Sequence, residues 1–395
     1  MSVYRLLVWM IIMLLSISAV SAQESPPGSL LALLATVPDT PQTREGTPIL
    51  GYADYRAAEQ ASGLTNPGSL DGFLALSQEE QVQWVNTIFR LRAGPRLDFL
   101  SNYIASMPDF VGFEWFDVDR AVTYGELTRL ATIFAGDFDA TAMASVYAGR
   151  GFEQREISGM TVWHRFEDGF VDPAARAPGD PFGGDLGRSA RVVALPGYVA
   201  NGQFWDITIA AIDTQRGAMP SLADDANFRA LAEAAMDTGL LVQAVYLSPD
   251  DVGDQSVVGL DGQSVVPEAV ASLGTLPAYT LALLADRQEG SDQVHLVAAV
   301  YDDAQRAEIA AAELSTRLTT FDPLAQYAEL GVVVDAPRIF TNDAGDKFVA
   351  VAAIRYPLSD EPAAQNGLRT PPGTMFATWI QAFQQRAFRP LAITA

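Results

Sequence analysis

Side chains able to act as nucleophile, base or soft metal ligand are scarce in this sequence. It has no Cys, only His164 and His295 as histidines, and Lys347 as its one lysine. Without Cys there are no disulfides, thiolate nucleophiles or Cys-ligated zinc sites. A nucleophilic triad needs Ser or Thr beside a base that a third group orients. His164 falls on an expected hairpin opposite Glu153, where a cross-strand charge pair accounts for it. His295, in Gln293-Val294-His295-Leu296-Val297, shares a strand face with Val297 and Ala299. It reads as a half-buried core histidine with one hydrogen bond. No G-x-S-x-G elbow occurs, no S-x-x-K surrounds Lys347, and H-E-x-x-H is absent. No residue is assigned a catalytic, cofactor-binding or metal-binding role, and no cofactor is expected.

Carboxylates are plentiful, so acid–base chemistry is the alternative to weigh. Phe113-Glu114-Trp115-Phe116-Asp117-Val118-Asp119 sets acids among aromatics, as sugar-cleaving sites do. Read as a strand, it places Glu114 and Phe116 on one face with Val118, and Trp115, Asp117 and Asp119 on the other. Any half-exposed strand shows that alternation, and the spacing alone brings no second carboxylate opposite the first. Calcium would use carboxylate and carbonyl oxygens. Its candidate loops are 172–185, Asp250-Asp251-Val252-Gly253-Asp254 and Asn342-Asp343-Ala344-Gly345-Asp346. None has the alternating twelve-residue pattern that ends in Glu, and Asp and Gly are ordinary turn residues. Gly149-Arg150-Gly151 follows a helix and precedes a strand, the reverse of a dinucleotide fingerprint, and Gly183-Gly184-Asp185-Leu186-Gly187 leads into no helix.

The elements that would position these residues begin after an N-terminal export pattern. Arg5 precedes the apolar run Leu6–Leu15, and Val20-Ser21-Ala22 fits a small-residue cleavage site, so residues 1–22 read as a signal peptide. The apolar run is too short for a spanning helix, which needs roughly 20 residues. Residues 23–48 are expected as a flexible lead-in containing a short helix at Leu30–Leu34. A first half spans 49–247, an Asp/Gly-rich linker 248–275, and a second half 276–395.

Within the first half, Asp54 can cap a helix ending at Gly63, and Ser77-Gln78-Glu79-Glu80 is a capping box. A helix over Leu97–Met107 is expected to stop at Pro108, and strands are expected at Phe113–Val118 and Leu130–Ala135. Asp139 caps a further helix. Ser158-Gly159 is a two-residue hairpin turn pairing Ile157 with Met160, Arg155 with Val162 and Glu153 with His164. Residues 167–190 read as a surface loop, and Phe204–Ala210 as a strand. In the second half, Asp303 caps a helix carrying a Glu313–Arg317 pair. Phe348–Ile354, apolar on both faces, should be a central strand, and a helix closes the chain from Thr374. The fold class is α+β, with antiparallel or mixed sheets covered by helices in two similar halves. The halves suggest an ancient duplication of a β-α-β-β unit.

Length and charge set the remaining limits. The chain has 395 residues, is 49% hydrophobic and carries a net charge of −23. It can bury a core, while its charge repels phosphate backbones and anionic surfaces. Nucleic acid is not an expected partner, and no membrane anchor is expected after cleavage. The reading that follows is an exported, extracytoplasmic protein without enzymatic activity. It would bind a protein or small ligand, with the cleft between its halves as the place. The alternative is a secreted hydrolase using Asp and Glu, with Glu114–Asp119 as its first candidate segment.

Overall fold

The computed structural model describes residues 29–95, 104–126, 128–252, 273–321, 331–357 and 372–394. The export pattern and most of the 248–275 stretch lie outside them. Helices α1 (Leu30–Leu34) and α2 (Pro41–Arg44) lead into strand β1 (Leu50–Asp54) and helices α3 (Tyr55–Ala61), α4 (Leu70–Ala75), α5 (Gln78–Phe89) and α6 (Met107–Val111). Then come β2 (Val118–Tyr124), β3 (Ala131–Gly136), α7 (Ala140–Gly149), β4 (Glu153–Ile157), β5 (Met160–Arg165), β6 (Ala190–Leu195) and β7 (Tyr198–Gly202). Next are α8 (Trp205–Gln215), α9 (Ala226–Met236), β8 (Leu240–Leu247) and α10 (Pro249–Val252). The chain continues through β9 (Leu281–Glu289), β10 (Asp292–Tyr301), α11 (Ala304–Thr319), β11 (Val333–Val334), β12 (Arg338–Thr341), β13 (Phe348–Pro357) and α12 (Thr374–Gln384).

The fold is α+β, built on one antiparallel sheet of thirteen strands ordered β11-β13-β10-β9-β8-β1-β2-β3-β7-β6-β5-β4, with β12 also on β13. A single sheet thus serves both halves, where the sequence suggested a sheet in each. The join is the antiparallel pair β1–β8, with Gly51 opposite Val245 and Ala53 opposite Gln243. Outward from it, each side runs through consecutive antiparallel strands (β1-β2-β3 and β8-β9-β10), sends its chain through a helix, and returns with β7 or β13. The Asp/Gly-rich stretch connects β8 to β9, which are paired neighbours.

Apolar side chains alternate between the two faces and divide the core accordingly. One face packs Tyr52, Val122, Leu283 and Leu296 against Leu33 of α1, Ile212 of α8 and Phe228 of α9. The other face has two helical covers side by side. Over one flank, Trp84 and Ile88 of α5, Val111 of α6 and Tyr147 of α7 meet Ala53, Phe134 and Val192. Over the other, Leu314 of α11 and Phe376, Trp379 and Phe383 of α12 meet Leu284, Val297 and Ile354. The seam between these two covers positions the candidate site.

Local signals operate as their chemistry dictates. Asp54 Oδ1 accepts from Ala57 N at 2.8 Å, Asp139 and Asp303 cap α7 and α11, and Ser77 and Glu80 form the reciprocal box. The hairpin has the expected register, with Ser158 and Gly159 both at positive φ as a two-residue turn requires. β13 lies one strand in from the sheet's end, paired with β10 on one side and with the short β11 and β12 on the other, and is buried on both faces.

Four expectations are corrected. Residues 29–48 are packed rather than a flexible lead-in, because Leu30, Leu33 and Leu34 are core. Pro108 opens α6 instead of ending a helix, since proline fits a first turn; residues 97–103 of that expected helix lie outside the described ones. Phe204–Ala210 is the start of α8, not a strand. Its β-branched content is overridden because Ile207, Ala211 and Thr214 form a buried stripe at helical spacing. Phe113–Val118 contains a short turn of 3₁₀ helix at Trp115–Asp117, and the strand begins only at Val118.

One close approach fixes how the seam is built. The chain leaving α5 crosses directly over β1, so a Cβ at Gly51 would lie 1.7 Å from the Ala93 carbonyl oxygen, and one at Gly94 2.5 Å from Ala53 Cβ. Gly51→Ala must push this strap off the sheet. A loss of about 1–3 kcal/mol, typical of overpacking, is expected in urea unfolding; a variant as stable as the parent would contradict this contact.

Candidate functional site

At the seam, residues from three adjacent strands form a buried polar row. Gln243 of β8 lies opposite Asp286 of β9, and Asp286 lies opposite His295 of β10. One step along the same face, Gln293 lies opposite both Gln288 and Tyr356. Arg90, just past the end of α5, reaches into this row and is 1% exposed, while Asp286, Gln243, Gln293 and His295 are fully buried. Arg90 grips Asp286 in two places, Nη2 to Oδ1 at 2.7 Å and Nε to Oδ2 at 2.9 Å, and Nη1 donates to Gln288 Oε1 at 3.1 Å. Gln243 Nε2 donates to Asp286 Oδ2 at 3.0 Å and to the Arg90 carbonyl at 2.8 Å. The fork geometry and the amide satisfy the carboxylate that burial would otherwise penalise.

Protonation follows from these partners. Burial alone would raise Asp286, but Arg90, His295 and Gln243 together hold it below the ordinary carboxylate range. Burial likewise opposes the charge on Arg90, and Asp286 reverses this and raises it. His295 is held down to about 4 by burial; Asp286 pulls it up and Arg90 pushes it further down, so it is neutral at pH 7. Gly373 N donates to Gln293 Oε1 at 3.0 Å, which fixes that amide's orientation. The Tyr356 hydroxyl therefore donates to the same oxygen and accepts from His295 Nε2 at 2.9 Å. His295 Nδ1 stands 3.4 Å from Asp286 Oδ1. The expected single hydrogen bond is present, while half-burial is corrected to full enclosure, because Tyr356, Phe376 and Trp379 close over the ring.

This row holds the two walls of a cleft. Gln243 Oε1 accepts from Arg92 N at 2.6 Å and Ala93 N at 3.1 Å, which pins the strap Leu91–Pro95 to the sheet. On the other side Gly373, the residue before α12, lies so close to Arg90 that a Cβ there would be 2.5 Å from Arg90 Cγ. Between strap and helix lies a cavity of about 650 Å³. Its floor is a row of three paired residues, Val245, Gly51 and Thr123. The strap supplies Leu91 to Pro95, with Phe89, 36% exposed, at the rim. Helix α12 supplies Ala377, Ile380, Gln381, Phe383 and Gln384. Its buried stripe, Phe376, Trp379 and Phe383, packs on the sheet, with Phe383 also reaching the cavity that Ala377, Gln381 and Gln384 face. Among the described residues Arg92 is the only charged one lining it.

The residues singled out in the sequence lie elsewhere. Asp117 and Glu114 hold a local turn: Asp117 Oδ2 accepts from Glu114 N at 2.7 Å, and Glu114 Oε2 accepts from Leu70 N at 2.6 Å. Burial, offset in part by that hydrogen bond, leaves Asp117 above the usual range. Asp119 pairs with Arg56 at 2.6 Å. None of the three lines the cleft, so the segment proposed for hydrolysis is engaged in local structure. His164 stands 3.9 Å from Glu153 and edge-on to Trp205, and burial lowers its pKa despite Glu153. Lys347 pairs with Asp302. Asp172 caps a short turn, Asp180 pairs with Arg150, and Asn342 Oδ1 accepts from Asp346 N and Lys347 N. Asp254 lies outside the described residues. Among the described residues no group of three or more His, Asp or Glu could hold a metal. Sequence reasoning missed Arg90, Gln243 and Asp286; for Gln243 and Asp286 the available signal was a polar residue inside an otherwise apolar strand, while Arg90 at a helix end carried none.

Fold and cleft together define an α+β protein with a preformed cavity, its lining divided between polar and apolar surface, where two helical covers meet. No family model matches the chain, and no curated protein matches it. Among solved structures, TP0453 in crystal form I matches at 7% identity and a TM-score of 0.36, covering 89% of this chain and 96% of that one. TP0453 in crystal form III matches at 6% identity and a TM-score of 0.31, covering 83% and 94%. Similarity at that level bears on neither fold nor role.

Two outcomes test the polar row. Asp286→Ala strands Arg90 in the core and should cost about 3–5 kcal/mol in urea unfolding; a loss below 1 kcal/mol would refute a buried pair. His295 has a folded pKa of about 4 against an ordinary 6.5, so the unfolded chain binds more protons between these values. Its contribution is complete above pH 6.5 and falls as the pH drops toward 4. The groups facing it are Asp286, Arg90 and Tyr356, and Asp286 acts only below its own ordinary range. His295→Gln should flatten this acid limb by up to about 3 kcal/mol. Parallel unfolding series across pH 4–7 check it, and identical slopes would exclude the histidine.

Proposed function

We propose that this protein is exported and works outside the cytoplasm as a binding protein rather than an enzyme, holding a small, mostly apolar ligand in the seam cleft. The observation that carries this reading is the cavity of about 650 Å³ between strap and α12. That volume lies in the range of small-molecule sites. Its walls are preset by the Arg90 and Gln243 contacts, so little ordering is required when a ligand enters. The export half of the proposal rests on the sequence pattern of Arg5, Leu6–Leu15 and Val20-Ser21-Ala22. No described helix is long and apolar enough to cross a membrane.

Both halves can be checked. Binding of the neutral, apolar fluorophore N-phenyl-1-naphthylamine should saturate at one site per chain. Ala377→Trp, which fills the cavity from α12, should weaken it about tenfold or more while the melting temperature stays near that of the parent. Unaltered binding in that variant would place the site elsewhere. For export, the intact mass of protein recovered from outside the cytoplasm should begin at Gln23; full-length protein retained in the cell would refute cleavage.

A further inference from the structure

The lining of the cleft is asymmetric in charge. The chain carries a net charge of −23, yet among the described residues no acid lines the cavity and its single ionic group is Arg92. Other arginines are engaged: Arg44, Arg56, Arg120, Arg129, Arg338 and Arg355 each meet a carboxylate. Arg92 is exposed and, among the described residues, its guanidinium meets none. Its backbone, by contrast, is fixed by the hydrogen bond from Arg92 N to the buried Gln243, so the base of the side chain is anchored at the cleft. Across from it, α12 contributes the amides of Gln381 and Gln384, which add neutral donors and no charge. Leu91, Ile380, Phe383 and Val245 supply apolar surface to the same lining.

Resting on the cleft reading above, we infer that the ligand is a monoanionic amphiphile, an apolar body seated between strap and α12 with a carboxylate held by Arg92. Guanidinium and carboxylate match as a planar, two-point pair. One cation in a strongly negative molecule suits one negative charge; a phosphate dianion would meet the surrounding acidic field with a second charge left uncompensated.

Decanoate, decanol and decyl phosphate, each displacing N-phenyl-1-naphthylamine from the full chain at pH 7.5, test this. Decanoate should bind about tenfold or more tightly than decanol, as charge-assisted hydrogen bonds allow, and more tightly than decyl phosphate. Arg92→Gln should cut the preference of the chain for decanoate over decanol to about twofold or less. Preference for decyl phosphate, or equal binding of decanoate and decanol by the parent, would overturn the monoanion assignment and leave the cleft reading intact. A decanoate preference that survives Arg92→Gln would also overturn it. Failure of the fluorophore and all three ligands to bind would overturn the cleft reading itself.

Discussion

The ion pair between Arg90 and Asp286 is the constraint on which the seam depends. It joins the end of α5 to the middle of β9, and through Gln243 and Gly373 it sets where both the strap and α12 begin. Two separate helical covers would otherwise meet over the sheet with only apolar contacts, which specify position weakly. A buried pair of this kind is a poor source of net stability because both charges lose water. Its consequence is geometric: only one placement of the strap satisfies Arg90, Gln243 and the Arg92 and Ala93 amides at once. The cavity beside it exists because strap and helix are held apart at that spacing while glycine at 51 lets the strap rest on the strand.

The acidic composition has a different meaning once partners are known. Asp54, Asp139, Asp225 and Asp303 terminate helices, Glu80 and Asp224 complete capping boxes, and Asp39, Asp119, Asp335 and Glu289 meet arginines. These uses are local, and among the described residues none of these acids lines the cleft. A cysteine-free chain must also hold itself together without disulfides, and here the apolar faces of one long sheet serve, covered on both sides by helices.

Much of the fold was legible because its causes are short-ranged. Capping by Asp54 and Asp303 needs only three residues of context, and the Ser158-Gly159 turn fixes a register by counting. The double apolar character of Phe348–Ile354 announced a strand buried on both faces. Failures came where distant packing outweighed local preference, as at Phe204–Ala210, or where an acid's partner is its own neighbour, as at Glu114 and Asp117. His295 showed the limit most clearly. Its strand face was readable, but the enclosure by Tyr356, Phe376 and Trp379 comes from elements 60 or more residues away.

By itself the sequence determined an α+β chain, its helix caps and turns, an N-terminal export pattern, and the absence of thiol chemistry, since these follow from residue type and near neighbours. Only the tertiary structure decided that one sheet runs through both halves, that Arg90 finds Asp286 196 residues away, and that a cavity with Arg92 in its lining opens between strap and α12. The physical reason is range. Capping and turn formation are settled within a few residues, whereas strand order and the pairing of buried charges depend on which distant segments share one face of the sheet.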